Sequence, residues 1–275
     1  MRSESKAVQY FLIAAAVGIA VVVLIFPLAM VLTGALAQGW KAYVAAVTDQ
    51  YAVKALQLTL LATVVAVGVN TAFGLCAAWA ITRFRFHGRH LLTTFIDIPF
   101  AISPVIAGLI FILTVGRIGW LFPLLDAHNI QIAFAPPGVV IVTIFVTFPF
   151  IAREIIPVLD ARGTDEEEAA ALMGAGGLRI FRRITFPYIK WALLYGVILC
   201  AARAMGEFGA VSVISGHLRG ITDTLPLDIE ILYNDYQTTA AFAVSSLLVI
   251  MAVIVLIVRN IIEYKGKKEG GAHVR

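Results

Sequence analysis

An all-α, polytopic membrane protein with six transmembrane helices is the fold class this sequence predicts, and three observations predict it. Apolar residues make up 60% of the 275-residue chain and charged residues only 14%, with a mean hydropathy of +0.92. That balance exceeds what a soluble domain of this length needs to fill a core. Six apolar runs are long enough to cross about 30 Å of hydrocarbon at 1.5 Å per helical residue. Lysine and arginine collect on one side of those runs. Residues 1–275 therefore read as a single transmembrane domain.

The runs cover residues 8–36, 55–81, 91–115, 137–156, 188–214 and 239–262. Hydrocarbon offers no partner to a free backbone amide, and no run alternates polar with apolar residues, so each is expected as a helix and not a barrel strand. The first ends in Ala35-Leu36-Ala37, which resembles a cleavage site, but its run is too long for a signal peptide. It is expected as a retained helix kinked at Pro27. In the third, Pro99 and Pro104 free backbone carbonyls and predict a bend, with Asp97 placed to pair with an arginine. Residues 120–136 are expected to hold a short helix at the outer interface. Cys76 and Cys200 lie in apolar runs, where a thiol behaves as a small buried apolar group. His87 and His90 lack a third ligand, so no metal site is expected.

The charge asymmetry sets the sidedness. Of the 21 lysines and arginines, only Lys41, Lys54, Arg117 and Arg219 fall on one side, and Arg203 lies inside the fifth run. The other sixteen, from Arg2 and Lys6 to Arg275, flank the opposite side. Basic residues in short loops resist translocation, so both termini are expected in the cytoplasm, as an even number of spans requires. The formal charge of +4 is small and its basic residues border apolar runs, which argues against a nucleic-acid partner.

A polar island, residues 157–187, separates the fourth and fifth runs on the cytoplasmic side. Thr164-Asp165-Glu166-Glu167 has the pattern of a capping box, in which Thr164 accepts from the Glu167 amide and the Glu167 side chain reaches back. Three acids favour the positive end of a helix over about 165–173. Gly174, Gly176 and Gly177 are expected to break it, and a second helix carrying Leu178, Phe181 and Ile184 leads to Pro187. Within this island, Glu168-Ala169-Ala170, three residues, Gly174, nine residues and Ile184-Thr185-Phe186-Pro187 follow a fixed spacing. It resembles the EAA loop of permease subunits of ATP-binding-cassette importers, with Phe186 where that pattern has Leu. The resemblance implies that the loop docks a short cytoplasmic helix onto a separate ATPase, with Glu168, Ala169, Ala170 and Gly174 at the contact and Ile184 and Pro187 setting the exit. No G-x-x-x-x-G-K-S/T segment occurs, so ATP and its Mg are expected on the partner and no cofactor on this chain.

Inside the fifth run, Arg203 and Glu207 stand four apart on one helical face, where they can pair. Insertion scales charge about 2.5–3.5 kcal/mol for such a group at a helix centre. Thirteen residues beyond Lys190, Arg203 is expected about 20 Å into the span. The pair serves either helix packing or the translocation path, and Ser212 and Ser215 beyond it are further path candidates. Gly206 and Gly209 admit a close helix or a bend. The segment Arg203-Ala204-Met205-Gly206-Glu207-Phe208-Gly209 is similar to permeases of the sulfate, molybdate and tungstate importers, and 212–220 is most similar to the W-type branch for sulfate and thiosulfate. That resemblance implies a second, different permease subunit, two ATPases, a periplasmic binding protein and an inner-membrane location. Molybdate or tungstate is the alternative cargo. A proton-coupled secondary transporter titrating Asp97 and Glu207 is the rival class. A membrane enzyme is disfavoured, since no nucleophile and base pair falls in the runs.

Overall fold

A computed structural model describes residues 6–270, and these are helical with no strand among them. Arg2 and Arg275, counted above toward the inner side, lie outside the described residues. Helix α1 (Lys6–Ala20) passes through a π-turn, Val21–Ile25, into α2 (Phe26–Ala35). Pro27 has no amide to donate, so the ladder lengthens and the Phe26 amide bonds to the Val21 carbonyl. The disturbance expected at Pro27 is thus taken up as a π-turn within one helical span, Val8–Ala35.

A short helix α3 (Trp40–Val47) leads to α4 (Gln50–Arg83), capped by the Asp49 carboxylate accepting from the Tyr51 amide at 2.9 Å. Helix α4 is the centre of the fold. Its buried face is mostly small, with Ala52, Ala55, Ala62, Ala66, Gly74, Ala77 and Ala78, which lets neighbouring backbones approach closely. A Cβ on Gly74 would sit 2.9 Å from Ile151 Cγ2 of the facing helix.

The third run is not one straight span. Helices α5 (Arg89–Ala101) and α6 (Pro104–Val115) meet at 108° across Ile102 and Ser103. Both break residues have extended backbone, a conformation that Pro104 imposes on Ser103 before it, and Pro104 begins the new helix. The expected pairing of Asp97 is present, with Arg153 Nε 2.8 Å from Asp97 Oδ1.

After α7 (Phe122–Ala127), the fourth span is α8 (Pro136–Thr147) followed by α9 (Pro149–Arg162). The polar island holds α10 (Asp165–Leu172) and α11 (Gly177–Ile180), and a second π-turn, Phe181–Thr185, joins α11 to α12 (Phe186–Met205). Again a proline, Pro187, follows the π-turn at the second position of the next helix.

The fifth run, expected to continue to residue 214, is also interrupted. Helix α12 ends at Met205, and α13 (Gly209–Ser215) starts after three residues. Helix α14 (Leu225–Asn234) follows in the loop after α13, and α15 (Thr238–Gly270) is the last span. Among the described residues five helices are long and apolar enough to cross a membrane, and the bent α5–α6 pair makes a sixth if it is one span.

The core has two main parts. Leu58, Val139, Val142, Val211, Ile214 and Leu227 join α4, α8, α13 and α14. Ala78, Ile151, Ile155, Leu159 and Ile189 join α4, α9 and α12. Between them the buried Asn70 donates to the Ile144 carbonyl at 3.1 Å and to Thr147 Oγ1 at 2.9 Å, fastening α4 where α8 gives way to α9. Cys200 is buried beside this amide, but Cys76, contrary to expectation, lies on the outward face of α4. Length and hydropathy assign a residue to a span and leave its face undetermined.

Candidate functional site

Two places bring the predicted polar residues together. The first is α10 and its supports. Helix α10 ends in a Schellman turn: the Ala175 amide bonds to the Ala170 carbonyl at 3.0 Å and the Gly174 amide to Ala171 at 2.9 Å. Gly174 has φ +84°, which a Cβ would strain, whereas Gly176 and Gly177 have no positive φ and are not the breakers expected of them. Ala169 and Ala171 are exposed, but Ala170 is turned inward and buried. Leu172 and Met173, at 89% and 82% exposure, form a bare apolar tip beside Gly174.

The expected capping box does not form. The Thr164 hydroxyl donates to Glu168 Oε1 at 2.6 Å, and Glu167 turns away from the helix start. Its Oε2 lies 2.7 Å from Arg83 Nε at the end of α4, and its Oε1 accepts from Thr185 Oγ1 at 2.7 Å. A buried guanidinium is a stronger partner for a carboxylate than an exposed backbone amide, so the long-range contact prevails. Arg83 Nη1 also donates to the Leu159 carbonyl at 3.2 Å. Arg162 adds a second tie: it pairs with Glu166, donates to the Ile184 carbonyl at 3.3 Å, and its guanidinium lies 4.1 Å from the Tyr188 ring centre. Helix α10 is therefore bound to α4, α9 and the start of the fifth span. Sequence reasoning missed Arg83 and the distal use of Glu167. Of the predicted contact residues, Glu168, Ala169, Gly174 and Pro187 are exposed and Ile184 is half-buried.

The second place is the break between α12 and α13. Arg203 Nη1 lies 2.5 Å from Glu207 Oε2, and Glu207 Oε1 accepts from the Ala210 amide at 2.8 Å. Glu207 is 2% exposed and so caps α13 from a buried position, while the Arg203 side chain keeps 32% exposure. Across the break stands the matching break of the third run. A Cβ on Gly209 would be 3.2 Å from Pro104 Cβ, and one on Gly108 would be 2.5 Å from the Ala210 carbonyl oxygen. Helices α6 and α13 thus begin side by side and run in close contact. Ser212 Oγ donates to the Gly209 carbonyl at 2.9 Å, and the fully buried Ser215 accepts from the His217 amide at 3.2 Å. Neither serine hydrogen-bonds to Arg203 or Glu207 among the described residues.

Beyond α13, on the side with few basic residues, Arg219 Nε lies 3.5 Å from Asp228 Oδ1, and its guanidinium sits 4.7 Å from the Tyr51 ring centre. The Asp223 carboxylate accepts from the Gly220 amide at 2.6 Å. Burial raises the pKa of both acids, Asp228 to about 6 against the partial offset of Arg219.

Comparison with known proteins gives a consistent result. The family described as "Binding-protein-dependent transport system inner membrane component" matches residues 70–267. The sulfate transport system permease protein CysW of Escherichia coli K12 is 47% identical over 257 residues, covering 94% of this chain and 88% of the relative. CysW of Synechocystis sp. is 47% identical with 94% of each chain covered, and CysT of Salmonella typhimurium is 34% identical, covering 88% of this chain and 87% of the relative. Among solved structures, a chain of a bacterial alginate ABC transporter in complex with alginate pentasaccharide-bound periplasmic protein superposes with a TM-score of 0.78 at 16% identity, covering 92% of both chains. That likeness concerns the fold.

Proposed function

We propose, from the premise that this chain belongs to the inner membrane components of binding-protein-dependent transport systems, that it forms half of the pathway of an ATP-driven importer for sulfate and thiosulfate. It is a transport subunit and not an enzyme. The observation that carries the cargo is 47% identity to CysW across nearly the full length of both proteins. The more distant similarity to CysT supports a second, different permease subunit as its partner. Two ATPases carrying ATP and Mg, and a periplasmic binding protein that delivers the anion, complete the assembly. The excess of basic residues around α10 supports an orientation with that helix and both termini in the cytoplasm.

The shape of α10 supports a coupling role. Its exposed face offers Glu168, Ala169 and the Leu172–Met173 tip to an ATPase, with Gly174 closing the turn. Ala170 packs inward, Ile184 receives Arg162, and Pro187 starts the fifth span, so a push on α10 is carried into α4, α9 and α12. In the membrane, Arg203 is the path candidate best placed to meet a dianion, since part of its guanidinium stays open while Glu207 holds the rest. Ser212 and Ser215 have their hydroxyls engaged within their own segment.

The test is uptake of radiolabelled sulfate in a bacterial strain lacking its W-type permease, complemented by this chain, with thiosulfate and molybdate as competitors. Restored uptake that thiosulfate suppresses and molybdate leaves unchanged is expected. Preferential suppression by molybdate would reassign the cargo.

A further inference from the structure

The start of the fifth span carries three arginines to which neither the coupling nor the anion-passage reading assigns a role. Arg179, Arg182 and Arg183 line an open basin of about 810 Å³ together with Gly174, Gly176 and Gly177. Six other arginines, 83, 89, 153, 162, 203 and 219, each have a carboxylate partner. These three have none among the described residues and are exposed. The acids of nearby α10 do not serve them: Glu166 is held by Arg162, Glu167 by Arg83 and Thr185, Glu168 by Thr164, and Asp165 makes no ion pair with them among the described residues.

Adjoining the basin, and sharing Gly177 and Leu178 with it, is a slot of about 390 Å³ lined otherwise by Leu75, Cys76, Trp79 and Phe181. Its walls are apolar. Trp79 and Phe181 meet in its wall with ring centres 5.6 Å apart, and Leu178, also in the lining, is 73% exposed. A soluble anion fits the arginines and gains nothing from the slot. An apolar chain fits the slot and gains nothing from the arginines. One molecule that satisfies both has a phosphate head and a hydrocarbon tail, and the site lies where α4 and the fifth span end, beside aromatic rings of the kind that mark the headgroup level. Arginine forks suit a phosphodiester, and the lack of competing carboxylates leaves them available to it.

We propose that this composite groove binds one anionic phospholipid, its headgroup phosphate on Arg179, Arg182 and Arg183 and an acyl chain against Trp79, Phe181 and Cys76. The lipid then fills the angle between α4 and the Phe181–Thr185 π-turn, the joint through which α10 meets the fifth span.

Cys76 gives a direct readout, since it lines the slot and Cys200 is buried. The full chain is placed in nanodiscs and alkylated with an uncharged maleimide, with Cys76→Ser setting the background. Phosphatidylglycerol discs are expected to slow alkylation about fivefold relative to phosphatidylcholine discs, a difference of about 1 kcal/mol in all. The combined Arg179→Gln, Arg182→Gln and Arg183→Gln variant, checked for a normal helical spectrum, should lose the difference. Equal rates in the two discs would overturn the proposal. Protection by inorganic phosphate in phosphatidylcholine discs would overturn it in favour of a soluble oxyanion, and protection only on adding the partner ATPase would overturn it in favour of a protein contact.

Discussion

The two ends of α4 each meet an arginine–carboxylate pair that fastens a helix outside the membrane spans, and the pairs are built differently. At the α10 end, Glu167 uses both oxygens at 2.7 Å, one on Arg83 and one on Thr185, and Arg83 also reaches the Leu159 carbonyl. Four elements are joined through this one pair. At the α14 end, Arg219 stands 3.5 Å from Asp228, and neither Asp228 oxygen accepts a hydrogen bond among the described residues. A buried carboxylate with both oxygens engaged locks its elements together, whereas one with neither oxygen hydrogen-bonded holds them loosely and responds to protonation. The α10 end is therefore held firmly and the α14 end is left to yield.

The largest effect should come from breaking the fuller pair. Glu167→Ala leaves Arg83, whose side chain is only 7% exposed, without its counter-charge, a loss on the order of 3–5 kcal/mol. Thermal melting of the purified chain should fall by several degrees, and sulfate uptake by tenfold or more. If melting and uptake both stay at wild-type values, the knot does not transmit displacement.

Much of this contrast could not be read from the sequence, for identifiable reasons. The spans were legible because length and apolarity act locally and additively, and so was the i,i+4 pairing of Arg203 with Glu207. The breaks after Ala101 and Met205 were half legible: prolines and glycines announced a bend, but a 108° turn depends on what packs across it, here α6 against α13. Helices α3 and α14 lie outside the apolar runs that organised the reading. The Thr164–Glu167 spacing was a true local signal that lost to a partner 84 residues away, and no local pattern contains Arg83.

A smaller effect is expected at the other end. Burial pushes the Asp228 carboxyl from 3.8 up to about 6, with Arg219 pulling it down and Asp223 and Asp49 pushing it up. The folded chain therefore keeps a proton that the unfolded chain releases between those values. The stability this contributes is complete below about pH 4 and is lost as pH rises through about 6. Amide hydrogen exchange in α14, corrected for intrinsic rates, should show protection falling about tenfold from pH 5 to 7.5, a change of about 1.4 kcal/mol. Asp228→Asn should remove that slope and keep the higher protection at pH 7.5. A slope that survives in the Asn variant would place the titrating group elsewhere, with Asp223 the next to test.

The smallest effect on the fold separates the two neighbouring glutamates of α10. Glu168 is exposed, and its one side-chain contact among the described residues is the Thr164 hydroxyl, one turn away. An exposed contact of that kind contributes less than about 0.5 kcal/mol, so Glu168→Gln should leave melting unchanged, while Glu167→Gln lowers it by weakening the Arg83 pair. Uptake then discriminates. If the exposed face of α10 meets an ATPase, Glu168→Gln lowers uptake and ATPase co-purification with stability intact, whereas Glu167→Gln lowers uptake together with stability. Equal loss of stability in both variants would mean that Glu168 also serves the fold, and the division of α10 into a face that is pushed and a face that is anchored would fail.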